Sequence, residues 1–373
     1  DIGYKILGRR TTAGRPGELR RKGGIERFER ATLDYKKSQT FPFEIKGLDI
    51  GDVDGDKKNE LVVMDSNNIY VFRYDGEKMS LFKKIEAGSH NNFLTLDVAD
   101  LNRNGHAEII VNSVVEDDLR SFILEYEGGR FKKITEKSNW FFRVWTTPKE
   151  GPILLGQRRG SDGYPADPVY RMVWKKKSFE KGPKMDLPKG TGILGAVKAN
   201  IRENGKSEVI TIDRFDRLHI LSEDGKTLWN SSDRFGGTNI FYDTKKKWRE
   251  DYRDGSPYRV YIPGRILIQD LEGDGIPQII VNKNDPTNRL FEKARSYESG
   301  EIQSLVWDES NLMTSWKTRS FKGYMPDFQV KDVNNDGHEE LVFAVVGPDD
   351  TEEGITGLLS DKKVSNIYFF KLF

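Results

Sequence analysis

Residues 49–63 read DIGDVDGDKKNELVV, which sets Asp52, Asp54, Asp56 and Glu60 at alternate positions directly before a hydrophobic, β-branched run. Four carboxylates within nine residues repel one another unless something neutralises them. The same frame returns along the chain. Residues 100–111 read DLNRNGHAEIIV, 270–281 DLEGDGIPQIIV and 332–343 DVNNDGHEELVF, with a worn copy, NIRENGKSEVIT, at 200–211. With the first residue of each copy as position 1, oxygen-bearing side chains fall at 1, 3, 5 and 9, glycine stands at 6 in four of five copies, and a strand-like run follows. Two departures stand out: Lys57 at position 6 of the first copy, with Gly55 two residues earlier, and Arg202 at position 3 of the copy at 200.

Alternate oxygens in a tight loop suit a hard divalent cation. Calcium takes about six to eight oxygen ligands, and a short loop supplies them from alternate side chains and one backbone carbonyl. Glycine at position 6 permits a turn with positive φ. Asp, Asn and Gly also make ordinary polar turns, but recurrence of the whole frame with the same strand behind it favours calcium. An EF-hand does not fit, because no copy is flanked by a helical period. Ligand charge ranks the loops. Asp52, Asp54, Asp56 and Glu60 give four carboxylates; Asp332, Asp336 and Glu340 give three beside Asn334; Asp270, Glu272 and Asp274 give three with the neutral Gln278 at position 9. Asp100 and Glu108 give two, helped by Asn102 and Asn104. Up to four loops are expected to take Ca2+, and the loop at 200–208, with Arg202 aimed at the metal position, is expected to be empty.

Around the loops the sequence alternates with period two, the pattern of short antiparallel strands. FEIKGLDIGD enters the first loop, ELVVMD leaves it, and NIYVFRYDG and MSLFKKIEAG follow; NFLTLDVAD, EIIVNS, SFILEYEGG and RFKKITEK repeat the order. Four strands per unit is a propeller blade. Loop starts are separated by 48, 100, 70 and 62 residues, and the interval of 100 holds a further unit, WFFRVWTTPKEG to VYRMVWKKKSF, whose loop has lost its acids. The expectation is an all-β propeller of six four-stranded blades, with seven as the alternative count. The last unit ends one strand short at NIYFFKLF, so the segment RFERATLDYKK near the N-terminus is expected to close the ring.

The loop frame followed by [LIV]-[VI]-[VI] resembles the FG-GAP/VCBS repeat family, calcium-loop β-propeller repeats of integrin α heads and secreted bacterial proteins. The likeness spans roughly residues 31–373 and is nearer the bacterial style, because the family's F-G and G-A-P sequences are not evident. It implies side-chain ligands at positions 1, 3, 5 and 9 and a backbone carbonyl at position 7, contributed here by Lys58, His106, Ile276 and His338. Function varies too widely within the family to be inherited.

Composition bounds the rest. Lys+Arg 60 against Asp+Glu 59 gives a net charge of +1, which removes the global basic field of a nucleic-acid binder. No run approaches 18 apolar residues, so no membrane span is expected. The 373 residues include no cysteine, which excludes disulfides and thiolate chemistry and leaves metal as a candidate staple. Of four histidines, His106 and His338 sit at loop position 7, and His90 and His219 have no motif partner. No G-x-S-x-G, P-loop or H-E-x-x-H occurs. Residues 1–27 read as a basic arm or linker, and 28–373 as one propeller with an insertion at about 230–265 rich in aromatic and basic residues. The reading is a calcium-stabilised, extracytoplasmic protein-interaction or surface-assembly module. A lectin-like polysaccharide binder is the alternative, and a polysaccharide-processing enzyme at the propeller's mouth a third.

Overall fold

The computed structural model describes residues 35–160, 163–244, 258–287, 295–348 and 363–372. The basic arm at 1–27 and the centre of the insertion, with Trp248 and Tyr252, lie outside them. Six antiparallel sheets follow one another around a ring. Blade 1 comprises Gly47–Gly51, Glu60–Met64, Asn68–Tyr74 and Met79–Glu86, and blade 2 comprises Asn91–Ala99, Glu108–Val115, Ser121–Glu127 and Arg130–Ser138. Blade 3 comprises Trp140–Thr147, Gly151–Arg159, Pro165–Lys175 and Ser178–Lys184, and blade 4 comprises Ala196–Ala199, Glu208–Ile212, Arg217–Leu221 and Thr227–Arg234. Blade 5 comprises Ile266–Gln269, Gln278–Pro286, Tyr297–Asp308 and Asn311–Lys317. Blade 6 runs Phe328–Lys331, Glu340–Pro348 and Lys363–Lys371, and its outer strand is Tyr35–Lys37.

The count is therefore six, and the N-terminal strand closes the ring as the sequence pattern requires. Tyr35 pairs with Phe370, and the amides of Ser38 and Phe41 donate to the carbonyls of Ile367 and Ser365 at 2.8 Å each. The Tyr35 ring packs on Tyr368, Phe370 and Phe321 at 5.3–5.8 Å, so closure carries apolar burial as well as ladder bonds. In blade 1 the second strand, ELVVM, is buried throughout, while the fourth, MSLFKKIE, is largely exposed. That gradient is why the second strand of each repeat reads as a continuous apolar run and the fourth as a polar alternation.

The axis is filled. Arg265, just before the first strand of blade 5, donates from Nε to Asp327 Oδ1 at 2.9 Å and from Nη2 to Asp327 Oδ2 at 3.0 Å. Its Nη1 reaches Asp97 Oδ1 at 2.8 Å and lies 3.5 Å from Asp49 Oδ2, and Nη2 also donates to the Leu96 carbonyl at 2.7 Å. One guanidinium thus ties blades 1, 2, 5 and 6. Arg143 joins Asp97 at 3.2 Å, and Lys331 joins Asp49 at 2.8 Å, which balances three cations against three carboxylates. Burial raises Asp97, with the two arginines acting against it. Burial also opposes the charge on Asp49, but Lys331 and Arg265 outweigh it and hold that carboxyl below its ordinary value.

The insertion is two things. Residues 230–234 belong to the outer strand of blade 4, and Phe241–Thr244 pairs with Tyr258–Tyr261 as a separate ribbon. Ile240, Tyr242, Val260 and Ile262 are buried in one cluster with Leu94, Phe141, Leu194 and Ala196, which lie on or beside the first strands of blades 2, 3 and 4. The Tyr242 hydroxyl donates to the Gly163 carbonyl. The ribbon therefore seats its apolar side at one end of the axis.

Candidate metal centre

All five loops share one backbone. Position 4 is left-handed at Gly55, Arg103, Glu203, Gly273 and Asn335, and position 6 at Lys57, Gly105, Gly205, Gly275 and Gly337, with φ between 52° and 88°. Left-handed residues at both sites turn backbone N–H groups inward, and acidic side chains receive them. Asp100 takes the amides of Asn104 and Gly105 at 3.1 and 3.0 Å, Asp270 those of Asp274 and Gly275 at 3.1 and 2.8 Å, and Asp332 those of Asp336 and Gly337 at 3.2 and 2.8 Å. Asp52 takes Gly55 and Lys57 at 2.7 and 2.8 Å. Position 5 accepts from the amide of position 7 in every copy: Asp56 from Lys58, Asn104 from His106, Asn204 from Lys206, Asp274 from Ile276 and Asp336 from His338, at 2.8–2.9 Å. The worn copy keeps the left-handed positions and the position-5 bond with Asn200, Arg202 and Asn204 at positions 1, 3 and 5, so the backbone turn does not depend on acids there.

Position 9 opens the second strand and is buried in every copy: Glu60, Glu108, Glu208, Gln278 and Glu340 are at most 3 % exposed. One oxygen always accepts the amide of position 2, in Val53, Leu101, Ile201, Leu271 and Val333, at 2.7–3.2 Å. What meets the other atom differs between blades. Glu60 Oε1 has Arg73 Nε at 3.6 Å, and the same guanidinium binds Asp54 and lies 3.8 Å from Asp56. Glu208 Oε1 has Arg202 Nε at 3.3 Å, and Glu340 Oε1 accepts Asn334 Nδ2 at 2.7 Å. Gln278, with its oxygen on Leu271, presents an amide nitrogen instead. Glu60 Oε1 and Glu108 Oε1 are both buried with no hydrogen-bond partner, the former facing Arg73 and the latter Glu125.

The electrostatics follow. Burial, reinforced by Asp54 and Asp56, pushes Glu60 up to about 7. Burial, reinforced by Glu125 and Asp100, pushes Glu108 up to about 8. The Val53 amide and Arg73 offset only part of this at Glu60, and the Leu101 amide only part of it at Glu108. Asp52, Asp54 and Glu60 each bring an oxygen within 4.8 Å of the others, an arrangement a cation can bridge. The orphaned oxygen of Glu108 and this oxygen-only donor set fit a hard divalent ion.

Neighbouring loops are laced together. Asn59 donates from its amide to Asn335 Oδ1 at 2.6 Å and from Nδ2 to the Asp332 carbonyl at 2.7 Å, joining the loops of blades 1 and 6. Ala107 donates to the Asp52 carbonyl at 2.7 Å. The His106 ring lies so close to Gly55 that a Cβ there would meet it at 2.5 Å. The expected ligand positions in four loops are thus present as turns, and those of blades 6, 1 and 2 abut. Sequence reasoning missed Arg73, Glu125 and Lys371, which face position 9 from the third strand. It also missed the axial cluster, whose one signal was an aspartate three residues before position 1 in both LDIGD and LDVAD.

Fold and loops define the class: a six-bladed β-propeller with acidic turns between the first and second strands. Residues 52–111 match the family model of the FG-GAP-like repeat, so blades 1 and 2 carry that repeat. Among curated proteins, none matches the sequence. Solved structures similar in fold include BBS1N in complex with ARL6DN, at 11 % identity and TM-score 0.46, covering 91 % of this chain and 96 % of that one. The PQQ-bound aldose sugar dehydrogenase of Streptomyces coelicolor aligns at 10 % identity and TM-score 0.40 over 90 % of this chain and 98 % of its own. The exotype rhamnogalacturonan lyase YesX aligns at 12 % and 0.38 over 91 % and 73 %. Nothing about what this chain binds follows from such distant likenesses.

Proposed function

We propose that the chain is a calcium-stabilised, extracytoplasmic propeller that serves as a protein-interaction or surface-assembly module. The observation that carries the metal half is the buried, partnerless Oε1 of Glu108 within a loop geometry repeated five times. Cation binding restores what burial removes from such a carboxylate. The worn loop, with Arg202 against Glu208, is read as needing no ion. At ten times its dissociation constant each bound ion adds about 1.4 kcal/mol to folding. Loops of this kind saturate in millimolar calcium, which argues for an extracytoplasmic setting in a chain that lacks disulfides.

The binding half rests on what the axis offers. Asp49, Asp97 and Asp327 are all paired, and the ribbon fills one end, so the axial carboxylates are spent on structure. On the face where second strands turn into third strands, cations stack on aromatic rings: Arg214 on the exposed Phe215 at 4.7 Å, Arg259 on Phe241 at 4.4 Å and Arg295 on Tyr261 at 4.3 Å. Aromatic and arginine side chains of this kind anchor protein interfaces. Sedimentation velocity in calcium and in chelator, with capture from surface-protein extracts by wild type and by Phe215→Asp, tests the reading. A calcium-dependent complex weakened by the substitution supports it. Retention of acidic polysaccharide instead of protein favours the lectin-like alternative.

A further inference from the structure

In register one step beyond Leu61–Phe72, Ile109–Leu124 and at Glu340–Lys371 itself, position 9 faces a third-strand residue: Arg73 in blade 1, Glu125 in blade 2 and Lys371 in blade 6. Building on the calcium reading above, we propose that this facing residue decides which loop takes the ion: Glu125 makes blade 2 the metal-requiring loop, whereas Arg73 and Lys371 stand in for the metal in blades 1 and 6.

Blades 1 and 2 have exchanged charges. Blade 1 carries acids at positions 3 and 5, Asp54 and Asp56, and a guanidinium opposite that touches both and Glu60. Blade 2 carries carboxamides there and a carboxylate opposite: Asn102 Nδ2 and Asn104 Nδ2 both donate to Glu125 Oε2, at 2.5 and 3.0 Å. Those two bonds hold the carboxamide nitrogens against Glu125 and leave Asn102 Oδ1 and Asn104 Oδ1 turned into the loop, where they accept the amides of Asn104 and His106. Glu125 is thus a positioning residue that fixes two oxygen donors and adds a negative charge. In blade 6, Lys371 Nζ pairs with Asp336 at 2.7 Å, and Glu340 has both oxygens occupied by Val333 and Asn334. In blade 1 an ion must displace a tethered cation from the oxygens it needs. Glu60 Oε1 and Glu108 Oε1 both lack a hydrogen bond, but Glu60 has a guanidinium 3.6 Å away, whereas Glu108 faces the like charge of Glu125. This assignment reverses the order that counting carboxylates along the sequence gives, because the neutralising groups come from another strand.

Calorimetric titration of the full chain with CaCl2 tests this, using Glu125→Gln, Glu125→Asp, Arg73→Gln and Asp52→Asn. All three positions lie in loops or on the third strand outside the core, and urea midpoints check that each variant folds. The tightest site is expected to weaken about tenfold or more in Glu125→Gln, with recovery in Glu125→Asp, and to persist in Asp52→Asn. Arg73→Gln is expected to gain or tighten a second site. A tightest site indifferent to Glu125 and abolished by Asp52→Asn overturns the assignment while leaving calcium binding intact. Absence of calcium heat in the wild type and every variant removes the calcium reading and this assignment together.

Discussion

Arg265 and Asp327 meet in a two-point ion pair at the propeller axis, Nε to Oδ1 at 2.9 Å and Nη2 to Oδ2 at 3.0 Å. Asp97 and Asp49 complete the shell around the same guanidinium. Removing one partner of a buried pair leaves charge without compensation, which costs about 3–5 kcal/mol. Arg265→Met is expected to lower the unfolding free energy by about that much, because Asp327 loses its cation while Asp97 and Asp49 keep Arg143 and Lys331. Urea denaturation reads it; a change under about 1 kcal/mol means water reaches the axis and the hub contributes little.

The ribbon end makes a second prediction. Tyr242 is 1 % exposed and packs on Phe141 at 5.9 Å. Truncating a buried aromatic costs about 3–5 kcal/mol. Tyr242→Ala is expected to fall in that range, whereas Phe215→Ala, at 52 % exposure, is expected to stay within about 0.5 kcal/mol. Equal effects from both would mean that the ribbon does not share the core.

Lys57 holds the left-handed position that glycine holds in the other four loops, at φ 69°. A side chain in that region costs roughly 1–2 kcal/mol, part of which the greater freedom of glycine in the unfolded chain offsets. Lys57→Gly is therefore expected to stabilise the protein by up to about 1 kcal/mol, seen as a higher urea midpoint at unchanged slope. A loss of stability would show that the lysine side chain makes an interaction worth more than the strain.

The pH dependence in chelator follows from Glu60 and Glu108, raised from 4.5 to about 7 and about 8. Between those values and 4.5 the folded chain binds protons that the unfolded chain has released, so stability falls as pH rises from about 4.5 to 8. With calcium bound the ionised form is the one held, so the fall should flatten and protons should be released on binding. Melting curves across this range, with and without calcium, read both effects. A rise in stability through pH 5–8 in chelator contradicts the assigned shifts.

Much of this was legible in the sequence. The loop frame, the four-strand repeat, the blade that lost its acids and the N-terminal closing strand all follow from local periodicity and recurrence, which a linear pattern carries. Glu125, Arg73 and Lys371 were not legible as loop residues, because their role depends on cross-strand register rather than spacing. The axial cluster escaped for a related reason: Arg265, Asp97 and Asp327 are far apart in sequence and meet only when the ring closes. The insertion looked like display because its aromatics are dense, yet Tyr242 faces the core and Phe241 does not.

The most direct test of the account is the thermal unfolding of the full chain in millimolar CaCl2, in MgCl2 and in chelator. The account predicts a melting temperature at least about 2 °C higher in calcium than in either other condition, since one filled loop contributes about 1.4 kcal/mol. Superimposable transitions in all three would contradict it, and the acidic loops would then be turns held by their own backbone amides.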